Sequence, residues 1–422
     1  MTSELGVVGL TAGIVVTGTE VLTGRVSDLN GPWLAEQLRR LGVDVGQIVV
    51  VGDRPDDLRS ALGFLAAGND LVITSGGLGP TADDLTAEVV AQVQGRPPRL
   101  DPELEQRIAA IVARLSARFG GLRDPQSTAI ATRKQAMVPE GATVLEPAGT
   151  APGLVVPVAE GRTGPPVIVL PGPPWELQRM WPVAVAALQV QAILAGASEL
   201  RQQTLRLWGV PESELAATLR RSDGDLAGLE ITTCLRAGEL EIVTRYPPAA
   251  DAAQQRLVAA VRQDFPDQLF SEGPTIDDLI RVELQVRGWT GAVVETITGG
   301  TLAARLAGIA GSPGFAGGII ASSESVLTEV VGVPAALIKG STTPEVARAM
   351  AERARVVFGA DIGIAIGPSG SPGGSPGSIE LCVITPEGPF TRSLSLAGPT
   401  DILRARIIPV VLHLLHQALT RQ

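Results

Sequence analysis

The chain has 422 residues, a formal net charge of −10 and a pI near 4.9. Its length predicts two or three domains with a buried core, since domains run to roughly 100–200 residues. The acidic balance argues against broad attraction to nucleic acid or an anionic membrane surface, which leaves small molecules and other protein surfaces as the expected partners. Cys234 and Cys382 stand far apart in strand-like apolar runs. They form neither a CxxC motif nor a disulfide framework, which fits a reduced, cytoplasmic setting.

Residues 1 to about 10 read as a loose tail. No basic region precedes the first apolar stretch, and Gly13 to Thr17 is too short to span a bilayer, so neither a signal peptide nor a transmembrane helix is expected. From Gly13 to about Pro182, β-branched runs alternate with helical patterns. Ile14–Val16, Gln47–Val51, Leu71–Thr74 and Val167–Leu170 read as strands, and Asn30–Leu41 and Asp56–Ala67 carry apolar residues at helical spacing. That alternation predicts βαβ units and a mostly parallel, doubly wound sheet, which binds ligands at the carboxyl ends of its strands. Three loops fall there: Gly18-Thr19-Glu20, the turn from Ser75 to Asp84, and Pro171-Gly172-Pro173-Pro174.

The turn Ser75-Gly76-Gly77-Leu78-Gly79-Pro80-Thr81-Ala82-Asp83-Asp84-Leu85-Thr86 is the most informative of the three. It reads as strand, glycine turn and helix start, so bare backbone N–H groups and a helix N-terminus would favour an anion such as phosphate. Asp83 and Asp84 would repel a bare phosphate, which suggests a divalent cation between carboxylate and phosphoryl oxygens. The plainer alternative is a glycine turn followed by ordinary acidic helix-start residues.

A second region, about Leu205 to Phe270, reads as a small α+β unit without a cluster of catalytic residue types, a spacer or packing module. A third begins near Thr275 and is again α/β: a helix to Arg287, strand Thr290–Val294, Thr296 to Gly300 opening a helix, a run from Phe315 to Ala321, a helix Pro344–Phe358, strand Asp361–Ile366 and the loop Gly367–Gly377. His413 and His416 lie three apart on the apolar terminal helix Ile407–Leu419, where packing is the expected role.

The chain resembles the competence-damage-inducible CinA family over essentially its whole length from about Gly13. The motifs that carry the resemblance act in combination: Gly18-Thr19-Glu20, Val51-Gly52-Asp53, Gly76 to Thr86, Arg133-Lys134-Gln135-Ala136, Gly149-Thr150-Ala151-Pro152-Gly153 and Pro171-Gly172-Pro173-Pro174. The resemblance implies a molybdopterin-binding-like domain over 11–184, a small KH-like connector over 200–272 and a nicotinamide mononucleotide deamidase-like domain over 275–420. It also implies metal-dependent hydrolysis of the ADP-ribose pyrophosphate, or of an NAD-like dinucleotide, to AMP and a ribose phosphate.

Hydrolysing a pyrophosphate diester needs charge neutralisation and an aligned, activated water. On this reading Asp84 and Asp53 lie nearest the metal (Mg²⁺, Mn²⁺ or Co²⁺) or the attacking water, with Asp83 and Glu20 as metal ligands or support. Lys134 counters phosphate charge. Gly76, Gly77 and Gly79 offer backbone N–H groups, Gly18, Thr19 and Gly172 belong to the flanking ligand loops, and Thr81 bonds phosphate or positions Asp84. Asp53 also suits a helix cap, Glu20 a solvated turn, Lys134 a structural ion pair, and Pro171–Pro174 a simple strand stop.

In the third region, the family's serine nucleophile within a segment like Ala-Glu-Ser-Cys-Thr-Gly-Gly falls on Thr296 of Val294-Glu295-Thr296-Ile297-Thr298-Gly299-Gly300. A pattern like Ala-Tyr-Ser-Asn-Glu-Ala-Lys falls on Ala321 to Leu327, placing Ser322 and Leu327 where tyrosine and lysine stand. Leucine can neither activate a nucleophile nor carry its proton. The loop Gly367 to Gly374 departs as well, so deamidase activity is expected to be absent, while nucleotide binding or dimerisation remains open. The expected partners are a nucleotide and a second copy of the chain in a homodimer, with neither nucleic acid nor membrane. Two competing functions are molybdopterin binding or adenylylation, and a non-catalytic regulatory scaffold linked to competence or damage response.

Overall fold

The computed structural model describes residues 9–117, 124–236, 238–340, 344–367, 378–396 and 398–420. Two compact units emerge: residues 1–202 with 245–251, and residues 203–244 with 252–422.

In the first unit the elements run β1 (Thr11–Thr17), α1 (Thr19–Leu22), α2 (Asn30–Arg40), β2 (Asp44–Val51), α3 (Pro55–Ala66), β3 (Leu71–Ser75) and α4 (Thr86–Gln94). They continue through β4 (Pro98–Leu100), α5 (Pro102–Ala117), α6 (Pro125–Gln135), β5 (Met137–Pro139), β6 (Thr143–Leu145), β7 (Gly153–Val156), β8 (Val167–Leu170), α7 (Pro174–Ala186) and α8 (Leu188–Leu194). Six strands form one sheet in the order β2-β1-β3-β8-β7-β6. β1 pairs parallel with β2 and β3, and β3 with β8, whereas β7 and β6 add antiparallel.

Strands β1, β3, β7 and β8 are almost wholly buried, the expected state of strands covered on both faces. Ile14, Val16, Ile73 and Ile168 face one core with Leu34 and Leu38 of α2, while Val15, Val72 and Val169 face the other with Leu62 and Leu65 of α3. Strand order reverses at β1, with β2 on one side and β3 on the other, and a crevice opens at such a point beyond the strand ends. The Asp44 carboxylate pairs with the buried guanidinium of Arg245, in the later segment that belongs to this unit.

The remaining elements are β9 (Arg201–Trp208), α9 (Glu212–Arg221), β10 (Glu230–Arg236), β11 (Glu239–Tyr246), α10 (Asp251–Asp264) and β12 (Leu269–Ser271), with sheet order β10-β11-β9-β12. They are followed by α11 (Ile276–Arg287), β13 (Gly291–Glu295), α12 (Thr301–Gly314), β14 (Phe315–Ile320), a π-helical turn at Val326–Val331, α13 (Ala335–Gly340), α14 (Pro344–Phe358), β15 (Ile362–Ile366), β16 (Ser378–Thr385), β17 (Gly388–Ser395) and α15 (Thr400–Thr420). The sheet order here is β14-β13-β15-β16-β17, parallel at β13 with its two neighbours and antiparallel beyond.

By length and composition α15 is apolar enough to cross a membrane, yet Ile407, Val411, Leu412, Leu415 and Leu419 are buried in the core of the second unit. His413 is a packing residue: its ring stacks on Trp208 at 4.1 Å between centroids, meets Phe270 edge-on at 4.6 Å, and its Nε2 lies 3.0 Å from Glu239 Oε1. Glu239, its acidic neighbour, is supplied by β11.

Candidate functional site

Each loop at the strand ends of the first unit is fixed by its own hydrogen bonds. Thr19 donates from both its N–H (2.9 Å) and its hydroxyl (2.7 Å) to Asp53 Oδ2, tying the loop after β1 to the loop after β2. The helix after Asp53 starts at Pro55 with no side-chain cap, so Asp53 serves Thr19 and does not cap α3. Asn30 of α2 donates to Ser75 Oγ (2.8 Å) and to the Gly172 carbonyl (2.7 Å), joining the glycine turn to the Pro171–Pro174 loop.

Gly76 and Gly77 have φ of 104° and 67°, the left-handed region. A side chain at Gly76 would meet Thr17 O at 2.4 Å, and one at Gly77 would meet Thr86 Oγ1 at 2.1 Å, so this turn admits only glycine. The N–H of Gly76 donates to the Leu170 carbonyl at 3.0 Å. This corrects the expectation that all three glycines present bare N–H groups: Gly76 is spent on the sheet, and Gly77 and Gly79 remain, among the described residues, without a backbone acceptor.

Helix α4 begins at Thr86, so Asp83 and Asp84 stand in the loop before it, and Leu85 holds the cap position. Both carboxylates turn to Thr81. Its N–H donates to Asp84 Oδ2 at 2.8 Å, and its hydroxyl lies between Asp84 Oδ2 (2.6 Å) and Asp83 Oδ1. The Thr81 hydroxyl, with smaller contributions from a backbone hydrogen bond and Lys134, holds the Asp83 carboxyl below the usual carboxylate range. Lys134 Nζ donates to the Thr81 carbonyl from the last turn of α6.

Two cavities flank Gly77. The smaller, about 10 Å³, is lined by Thr17, Asp53, Gly77, Asp83 and Thr86 among others. Its lining draws on the loops after β2 and β3, and its volume is about that of one water. Thr17 is 7 % exposed, and its hydroxyl has no hydrogen-bond partner. The larger cavity, about 250 Å³, is lined by Gly77, Gly79, Asp84, Lys134 and an apolar set from α4 and its surroundings. Gly18 and Thr19 sit beside the smaller cavity, through the bond from Thr19 to Asp53. Glu20 is exposed and lines neither cavity, and Gly172 is exposed in the β8 loop.

Among the described residues no three His, Cys, Asp or Glu side chains gather as a ready metal site. Asp53 and Asp83 nonetheless fit a hard cation of the Mg²⁺ kind, which is commonly held by one or two carboxylates and completed by substrate phosphates. The unpaired Thr17 hydroxyl beside them is a buried oxygen still lacking a partner.

Two residues near these loops escaped the sequence reading. Thr17 is the last residue of an apolar strand, and only its place before Gly18-Thr19-Glu20 marks it. Glu176 follows Pro171–Pro174, and its carboxylate packs so closely on Gly149 that a Cβ there would lie 2.3 Å from Oε1. Burial pushes the Glu176 carboxyl up.

In the second unit the Thr296 hydroxyl donates toward backbone carbonyls, Gly367 O at 2.9 Å and Ile366 O at 3.2 Å. Glu295 is fully buried and accepts from the N–H of Ala303 at 2.9 Å and of Leu302 at 3.3 Å, anchoring the start of α12. Ser322 is exposed, and Leu327 is buried with Val331, Val346 and Met350. Of the loop Gly367–Gly377, residues 368–377 lie outside the described residues.

A family model described as a probable molybdopterin binding domain matches residues 13–190, and the CinA C-terminal domain matches residues 274–419. A CinA-like protein of Mycolicibacterium gilvum is 51 % identical over 423 residues, covering 97 % of this chain and 98 % of that protein. One from Mycobacterium tuberculosis is 46 % identical over 425 residues, covering 97 % of each. Among solved structures, a CinA protein of unknown function from Thermoplasma acidophilum is 32 % identical, covers 42 % of this chain and 95 % of its own, and has a TM-score of 0.34.

Proposed function

The chain belongs to the CinA family, and from that premise we propose that its first unit is a divalent-metal-dependent nucleotide pyrophosphatase hydrolysing ADP-ribose to AMP and ribose 5-phosphate. The observation that carries this reading is the small cavity at Gly77, whose lining includes Asp53, Asp83 and Thr17, the last with an unpaired hydroxyl. When bound, Mg²⁺, Mn²⁺ or Co²⁺ supplies charge neutralisation for the pyrophosphate oxygens, and Asp53 and Asp83 are the residues that would hold it.

The N–H groups of Gly77 and Gly79 bind the non-bridging oxygens, the role of a glycine turn at a helix start. A water oxygen forms the new bond to phosphorus as the bridging P–O bond breaks. Asp84 takes the water's proton; Thr81 holds its Oδ2 and so fixes the carboxylate plane. The leaving phosphate takes the electron pair, and Lys134, which lines the same cavity as Asp84, offsets that charge.

The test is AMP release from ADP-ribose, with NAD in parallel, in the presence of each metal. Asp84→Ala is expected to lower the rate by about 10²–10⁴-fold, the usual loss of a general base. No AMP from either substrate with any of the three metals overturns the reading. The alternative favoured by the match at residues 13–190 is molybdopterin binding or adenylylation. Tight molybdopterin binding without ADP-ribose turnover would establish it.

The second unit is proposed to lack nicotinamide mononucleotide deamidase activity. Support comes from the Thr296 hydroxyl, engaged with backbone, and from Leu327, buried where the family places a lysine. Ammonia release from nicotinamide mononucleotide would refute this. A cytoplasmic setting is supported by two cysteines that are both free.

A further inference from the structure

Ser75 with Leu170 is the last pair of the ladder between β3 and β8, and beyond it the glycine turn begins. Gly76 and Gly77 have more backbone freedom to lose than any other residue type, so their conformation is imposed by neighbours. Three supports do this. The Leu170 carbonyl holds the Gly76 N–H at 3.0 Å, and the Thr86 N–H holds the Gly77 carbonyl at 3.1 Å. The third is Asn30, whose amide nitrogen reaches Ser75 Oγ and the Gly172 carbonyl, and so carries the registration of β3 with β8 past the end of the ladder.

Asn30 is itself firmly held. It is buried at the start of α2, and Asp28 Oδ1 accepts from its N–H and from that of Gly31, each at 2.9 Å. A carbonyl only accepts, so Gly172 settles which end of the side-chain amide is nitrogen. Both amide protons are then spent, one on each loop. Side chains of similar size cannot repeat this: a carboxylate has nothing to donate, serine has one proton and leucine none.

We infer that Asn30 is a positioning residue for the hydrolysis: by clasping Ser75 and Gly172 it aims the N–H of Gly77 at an oxygen of the bound pyrophosphate. The inference rests on the pyrophosphatase reading and deepens it. Asn30 lines neither cavity at Gly77, so its effect passes through the turn and not through contact with the reacting atoms. A group out of place by about 1 Å costs a reaction up to about 10²-fold, and the supports behind a site decide whether its donors are that well placed.

The experiment compares the full-length wild type with Asn30→Ala, Ser75→Ala, the double variant and Asn69→Ala. It measures kcat/KM for ADP-ribose with Mg²⁺, calorimetric binding of inorganic pyrophosphate with Mg²⁺, and melting temperature. Asn69 is the matched control: it precedes β3 at the opposite end of the sheet, donates to the Leu65 carbonyl at 2.8 Å and, like Asn30, has a buried Oδ1 without a partner. Asn30→Ala is expected to lower kcat/KM by about 10–100-fold and pyrophosphate affinity by about tenfold. Ser75→Ala should lower both as well. The double variant should lose no more than about twofold beyond Asn30→Ala, because the two side chains act as one unit. Asn69→Ala should melt below wild type with kcat/KM and pyrophosphate affinity unchanged.

Unchanged kcat/KM in Asn30→Ala, losses that add in the double variant, or equal losses in Asn69→Ala overturn the assignment, and leave the pyrophosphatase reading standing wherever wild type hydrolyses ADP-ribose. Should Asn30→Ala fail to fold, Ser75→Ala carries the same test with a single oxygen removed. A wild type that releases no AMP, yet binds pyrophosphate in a way that Asn30→Ala weakens and Asn69→Ala does not, would sink the pyrophosphatase reading and leave Asn30 as the support of an anion-binding turn. A wild type that neither hydrolyses ADP-ribose nor binds pyrophosphate would remove both.

Discussion

Thr17 ends β1 with its hydroxyl buried and unpaired, a state that costs a folded protein about 1–3 kcal/mol. Valine has the same shape and suits a strand. Thr17→Val is therefore expected to raise the melting temperature while lowering metal-dependent AMP release; a variant that melts higher and turns over normally would remove Thr17 from the site. Glu176 gives a test with pH. Burial raises its folded carboxyl above the ordinary value of 4.5, so the folded state binds the proton more tightly than the unfolded one. Its contribution is favourable below pH 4.5 and is lost as pH rises through the folded value. Glu176→Gln should accordingly melt above wild type at pH 7, with the gap closing below pH 4.5. A gap independent of pH would trace the difference to packing. Neither residue was legible in the sequence, because a buried hydroxyl without a partner and a desolvated carboxylate are properties of neighbours brought from other strands.

At the scale of elements, β1, β3 and β8 were legible because each is a β-branched run bounded by turn residues, and α2 and α3 because their apolar residues recur at helical spacing. The short strands β5, β6 and β7 escaped, since runs of three or four residues among prolines and glycines carry too little periodicity. The position of α4 was legible, but not that it starts two residues after Asp84; Thr81 draws both carboxylates into the loop before it, in a turn held by the pairing of Gly76 with Leu170 and of Thr86 with Gly77. One helix start carries its own test. Thr275 and Asp278 form a reciprocal capping box on α11, and the Thr275 hydroxyl, then Arg281, hold the Asp278 carboxyl below its ordinary 3.8. That stabilisation is present above pH 3.8 and fades as pH falls through the folded value. Thr275→Ala should destabilise the protein by about 1 kcal/mol at pH 7 in denaturant titrations. The difference should narrow in acid; a constant difference would mean that the box does not act through the Asp278 charge.

For the molecule as a whole, the two thiols report on the second unit. Cys234 is exposed on β10, whereas Cys382 is buried on β16 and its thiol is pushed up to about 12 by burial. A thiolate-selective reagent should modify one thiol per chain in the native protein and two in denaturant; rapid native modification of both would show that the sheet around β16 opens readily. The first unit has a different signature, because it includes residues 245–251 as well as 1–202. Synthesis runs from the N-terminus, and domains generally fold as they leave the ribosome. Here the nascent chain must wait: when translation has reached codon 202, Asp44 still lacks Arg245. The first unit closes only after the ribosome has also translated residues 203–244, so slow codons within that stretch would prolong the life of an unfinished fold.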